Sequence, residues 1–145
     1  EYEKLIVRLL NESNIRVVVT DNKPPDKIRD IKNVTFLNID MSLRESMLNF
    51  SALDILVSAS TGPMHICAAL KVPTISLFCP LTACSPKLWG PLGNDSETIL
   101  PDSNYCSTVC PGDPHICDFN GDGGIDNEKV FQNVISFLTK RGFAH

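Results

Sequence analysis

Between residues 54 and 80 the chain reads DILVSASTGPMHICAALKVPTISLFCP, and the chemistry it offers is concentrated in the middle. Ser60, Thr61 and Gly62 fall between an apolar run and a helix that Pro63 is suited to open. Proline at the first helical position gives up only an N–H that would have no partner there. The leading N–H groups of a helix are unpaired and carry the positive end of its dipole, so such a turn favours an anion. Two hydroxyls add hydrogen-bonding capacity, and Gly62 lets a ligand come close to the backbone. His65, in the first helical turn, offers a ring N–H to a phosphate or sugar oxygen. The same residues also allow a simpler reading, in which Ser60 and Thr61 cap the helix and His65 is an ordinary surface residue.

A second constellation is DFNGDGGID, Asp118 to Asp126. Asp118, Asn120 and Asp122 take positions 1, 3 and 5 of a calcium loop, Gly123 the sharp turn, Gly124 the carbonyl position and Asp126 position 9. Position 12, where a bidentate Glu belongs, is Lys129, and Glu128 stands one residue early. Lysine there removes ligand oxygens and repels the ion, so only weak Ca2+ binding is expected. The alternative is a polar turn in which Asp126 caps the following helix. Cys106, Cys110 and Cys117, with Cys84 or His115, have the number and type of ligands for zinc, but gaps of three and six residues are not the paired spacing of such sites. Reduced packing thiols or a disulfide are the preferred reading. Cys67 and Cys79 lie in apolar segments and read as buried thiols.

The elements that must position these residues alternate in type. Helical spacing of Tyr2, Leu5, Ile6, Leu9 and Leu10 predicts a helix over 2–12. Strands are expected at 15–20 and 34–37, separated by a proline-bearing turn and a short helix at 26–31. Ser42 caps a helix marked by Leu43, Met47 and Phe50. Strand 54–58, helix 63–70 and strand 74–78 follow with short connections, the strands being apolar on both faces over 55–57 and 75–78. Residues 101–126 read as an irregular insertion, after one further strand at 97–100 and before a last helix over 127–140 carrying Val130, Phe131, Val134, Ile135 and Leu138. Such succession predicts an α/β domain with a three-layer, Rossmann-like parallel sheet, whose function sits beyond the carboxyl ends of the strands.

With these residues in place, the chain resembles the carboxyl-terminal domain of heptosyltransferase-like glycosyltransferases, glycosyltransferase family 9. The likeness rests on Ser60, Thr61, Gly62, Pro63 and His65, then Ala68, Ala69 and Leu70, then Leu77, Phe78, Pro80 and Thr82, and on Trp89, Gly90, Pro91 and Gly93. Met41 precedes the helix begun by Ser42 and Leu43, where the family tends to set a residue against the nucleotide base. The resemblance implies half of a GT-B architecture, two Rossmann-like domains across a cleft. This half would hold a nucleotide-diphosphate sugar, ADP-heptose-like, for an inverting transferase of lipopolysaccharide or cell-surface glycan synthesis. The substrate-binding residues it implies are Met41, Ser60, Thr61, Gly62, Pro63 and His65. Ser60 stands where the family has Asp, and Cys79 where it has Gly, which leaves the sugar open. The family's general base, and a strand and phosphate-binding Lys ahead of residue 1, would belong to sequence outside this chain.

Composition narrows the classes. With 145 residues, 43% of them hydrophobic and 21% charged, the chain suits one domain, 1–145. A formal charge of -4 gives no basic field for nucleic acid. No apolar run approaches the roughly 20 residues of a membrane helix. The expectation is a bacterial cytoplasmic piece of a longer enzyme, without activity on its own, with peripheral membrane association of the parent and an acceptor-binding amino-terminal domain as its partner. No cofactor is required beyond the Ca2+ considered above. The rival is a non-enzymatic calcium-binding interaction module on a Rossmann-like scaffold. Sequons at Asn11, Asn33, Asn49 and Asn94 are read as chance.

Overall fold

The computed structural model describes residues 2–113 and 116–143. Its elements are α1 (Tyr2–Leu10), β1 (Val18–Val19), α2 (Asp26–Arg29), β2 (Thr35–Phe36), α3 (Leu43–Ser51), β3 (Leu56–Ala59), α4 (Gly62–Ala69), β4 (Thr74–Leu77), α5 (Pro86–Trp89), β5 (Ser96–Ile99), α6 (Tyr105–Thr108) and α7 (Asn127–Lys140). They form two compact units, residues 1–53 with 127–145, and residues 54–126. Every strand pair in both units is parallel.

In the first unit α1 packs on α7. α1 buries Leu5, Ile6 and Leu9, and α7 buries Val130, Phe131, Val134, Phe137 and Leu138. Phe137 thus takes the inward place expected of Ile135, which is half-buried. The Arg8 guanidinium lies 4.1 Å from the centroid of the Phe131 ring and pairs with the Glu128 carboxylate. β1 and β2 pair over Val18↔Thr35 and Val19↔Phe36 only, shorter than the runs at 15–20 and 34–37 predict. In a two-stranded sheet each strand has one ladder, and regular pairing covers only their centres. Ser42 caps α3 in a capping box with Glu45: the Glu45 N–H donates to Ser42 Oγ at 3.3 Å, and the Ser42 N–H to Glu45 Oε2 at 2.8 Å. Of the three residues expected to mark its core stripe only Phe50 is buried; Leu43 is 69% exposed and Met47 40%.

The second unit is built on the sheet β3-β4-β5. β4 is central, and Thr74, Ile75 and Ser76 have no exposed surface. β3, at the edge, buries only Leu56, so its expected two-faced burial is met in part. α4 follows β3 and buries Met64, Cys67 and Ala68. The row Ser58↔Ser76↔Thr98 crosses the sheet in register. Ser76 Oγ is buried there without a hydrogen-bond partner. Since an unpaired buried hydroxyl costs about 1–3 kcal/mol, Ser76→Ala is expected to raise the unfolding free energy by about 1 kcal/mol, read from the urea midpoint.

The segment after Pro80, irregular by sequence, contains short helical turns. Thr82–Cys84 forms a 3-10 turn, and Trp89 Nε1 donates to the Ala83 carbonyl at 2.8 Å. A Cβ on Gly90 would collide with the Pro86 carbonyl, so glycine is required after Trp89. Lys71 Nζ donates to the Gly93 carbonyl at 2.7 Å, and the Asn94 side chain donates to the Val72 carbonyl at 2.8 Å. These bonds tie the end of α4 to the turn that leads into β5. Among the described residues no helix is long and apolar enough to cross a membrane.

Candidate functional site

The turn Ser60–Thr61 leaves the carboxyl end of β3 and enters α4 at Gly62, with Pro63 in its first turn. Thr61 is the N-cap, in extended backbone with φ -138° and ψ 173°, yet its side chain makes no capping bond. Its hydroxyl donates instead to the Ala59 carbonyl at 3.3 Å. Among the described residues no hydrogen bond uses the Thr61 or Gly62 N–H. The simple capping reading therefore lacks its bond, and donors remain available at the start of the helix. A Cβ on Gly62 would meet nothing within 4 Å, so the protein's own packing does not demand glycine there. Ser60, Thr61, Gly62 and His65 are exposed and Pro63 is half-buried. Met64, fully buried between Pro63 and His65, anchors this rim to the sheet. Five of the six sequence-predicted residues thus share one helix start.

Met41, the sixth, stands in the first unit, in the turn between β2 and α3, and is 48% exposed. That turn is held by Asn38, which the sequence did not single out, and by Asn49, noted there only as a sequon. Buried Asn38 donates to the Thr20 carbonyl at 3.0 Å, and Asn49 Nδ2 donates to Asn38 Oδ1 at 2.9 Å and to the Leu37 carbonyl at 3.3 Å. The available signal was a carboxamide just past a strand end with another on the following helix, the side chain that can bridge loose carbonyls. The Ser42 hydroxyl and then its N–H hold the Glu45 carboxyl below the usual range, which keeps the capping box charged.

In the loop 118–126 the Asp118 carboxylate accepts the Asn120 N–H at 3.0 Å and the Asn120 side-chain amide at 2.7 Å, and these bonds hold its pKa low. Gly123 has φ +75°, and its carbonyl accepts the Asp102 N–H at 2.7 Å. A Cβ on Gly124 would collide with the Phe119 carbonyl, so closure of the turn alone requires this glycine. The Glu128 carboxylate is held by Arg8, and Gln132 Nε2 donates to its Oε1 at 2.8 Å. It is therefore not available to replace the missing acid at position 12. Among the described residues no three His, Cys, Asp or Glu are arranged to hold a metal ion. Calorimetry is expected to show weak Ca2+ binding or none, and Lys129→Glu to tighten it at least tenfold if the loop is a calcium site. No gain from that substitution would identify a turn with no cation role.

The thiols do come together. Cys110 Sγ lies 3.8 Å from Cys117 Sγ, and the Cys117 sulfur is 3.7 Å from Tyr105 Oη. Burial, and then neighbouring Cys110, raises the pKa of Cys106. Burial is also the chief cause that raises Cys79, with Cys84, Cys110 and Cys117 adding to it. Cys79 is buried as expected, but it borders this cluster and does not stand alone in the core. Cys67 is the isolated buried thiol, raised to about 11 by burial. His115 lies outside the described residues.

The parallel α/β pattern with a helix start at a strand's carboxyl end is shared by two solved structures. Escherichia coli heptosyltransferase WaaC with ADP matches with a TM-score of 0.62 at 20% identity, over 97% of this chain and 38% of that one. E. coli ADP-heptose lipopolysaccharide heptosyltransferase II matches with a TM-score of 0.64 at 17% identity, over 97% and 41%. A Haemophilus influenzae protein classed as a glycosyltransferase is 25% identical over 106 residues, which cover 68% of this chain and 31% of that protein. The model of glycosyltransferase family 9 (heptosyltransferase) matches residues 1–110, and the chain belongs to that family. It spans between about a third and two-fifths of the length of these relatives.

Proposed function

We propose that this chain is the donor-binding part of an inverting glycosyltransferase, taking a nucleotide-diphosphate sugar of the ADP-heptose kind. The observation that carries the reading is the exposed α4 start with unused Thr61 and Gly62 N–H groups, in a chain of family 9. Those donors, the dipole of α4 and the ring of His65 suit the diphosphate, and charge growing on the departing nucleotide is what they would stabilise. Met41 would lie against the base, and Ser60 and Pro63 would border the sugar and phosphates. A separate acceptor-binding part would supply the base that activates the acceptor hydroxyl, so this chain alone binds and does not turn over. The acceptor would be lipopolysaccharide core or another cell-surface glycan, reached at the inner face of the membrane. A calcium-dependent interaction module has less support, because Glu128 is engaged by Arg8 and Gln132.

Titration with ADP or UDP followed by amide chemical shifts tests the proposal. Shifts are expected to concentrate at Thr61, Gly62 and His65. Shifts confined to residues 118–126, or no saturable shifts, would overturn it.

A further inference from the structure

We propose that Cys110 and Cys117 form a thiol–disulfide exchange site, which takes a low-molecular-weight disulfide as co-reactant and closes to a bond between the two sulfurs. They already touch, at 3.8 Å, and bonding brings them to about 2.05 Å. The pair is not symmetrical. Tyr105 Oη donates its one proton to the Asn120 carbonyl at 2.9 Å, so toward Cys117, 3.7 Å away, it accepts the thiol proton. Burial, and then the bond with Cys117, pushes the Tyr105 hydroxyl up to about 12, so it keeps that proton at neutral pH. Cys110 instead receives the Gly112 N–H at 3.4 Å, so its sulfur is held by a backbone donor and Cys117's is held by Tyr105. Gly112 reaches this position with φ +80°, a conformation natural to glycine. Cys110 is therefore the attacking sulfur and Cys117 the resolving one. Cys79 and Cys106 are raised above the ordinary thiol range and compete poorly as thiolates.

In the first step the Cys110 thiolate attacks one sulfur of oxidised glutathione. A mixed disulfide forms and one glutathione thiolate leaves. In the second, Cys117 gives up its proton and attacks the Cys110 sulfur, which releases the second glutathione. Two protein thiols are oxidised by two electrons, one glutathione disulfide is reduced, and the two thiol protons end on two glutathione molecules.

The test uses the reduced protein equilibrated with glutathione buffers of increasing oxidised fraction, quenched by alkylation and cleaved before Asp102, Asp113 and Asp118, which separates Cys110 from Cys117. Loss of two of the six thiols is expected, with residues 102–112 linked to 113–117 and full recovery on reduction. Cys106→Ser should keep that linkage, and Cys117→Ser should stop at one glutathione on Cys110. Linkage through Cys84 or Cys106, six thiols that stay alkylatable, or protection of Cys110 and Cys117 by one tightly held zinc would each overturn the proposal.

Discussion

Met64→Ala is expected to lower the unfolding free energy by about 2–5 kcal/mol, the range for truncating a fully buried methionine. Met64 has no exposed surface and sits in the first turn of α4, so the cavity would open directly beneath the helix start. Domains of this size are stable by about 5–15 kcal/mol, so the loss is a large fraction of the total. Met64→Leu, which nearly keeps the volume, should cost less than about 1.5 kcal/mol. Urea unfolding of the three proteins separates the cases. A loss under about 1 kcal/mol for the alanine variant would mean that the site helix is not anchored through this side chain.

Gly62→Asp should weaken nucleotide-diphosphate binding at least tenfold, about 1.4 kcal/mol, while leaving the fold nearly untouched. A Cβ at this position meets nothing within 4 Å, and the backbone is not in the left-handed region, so stability should move by no more than about 0.5 kcal/mol. The carboxylate would sit at the helix start, where it competes with an anion for the same N–H groups and repels phosphate. Gly62→Ala separates crowding from charge and should fall between wild type and Gly62→Asp. Equal affinity for all three proteins, measured by calorimetry with ADP, would remove the α4 start from the binding site.

How far these features could be read in advance depends on what each residue's signal encodes. β4 was legible because the run Ile75 to Phe78 reads as apolar on both faces and lies between Pro73 and Pro80. The α4 start was legible because Pro63 is informative at one position only, the first turn. α3 was placed correctly by Ser42 and Glu45, but its inward face was not. Spacing shows that Leu43, Met47 and Phe50 share a side, and cannot show whether anything covers it; Leu43 and Met47 are exposed. The four-residue turns Pro86–Trp89 and Tyr105–Thr108 lack the length for periodicity to register. The Asn38–Asn49 clamp and the approach of Cys79 to the later thiols depend on contacts between distant segments, which local pattern does not carry.

The packing of α1 on α7 has a consequence for biosynthesis. The first compact unit is assembled from the two ends of the chain, residues 1–53 and 127–145, with the other unit encoded between them. As the polypeptide emerges from the ribosome at about 5–20 residues per second, Leu5, Ile6 and Leu9 wait for Phe131 and Val134 until the intervening unit, residues 54–126, has been made. Residues 54–126 face no such delay, because all three strands of their sheet lie within that span. Residues 54–126 are therefore able to fold while α1 still lacks its partner, and a chain ending before α7 would leave Leu5, Ile6 and Leu9 without the helix that covers them.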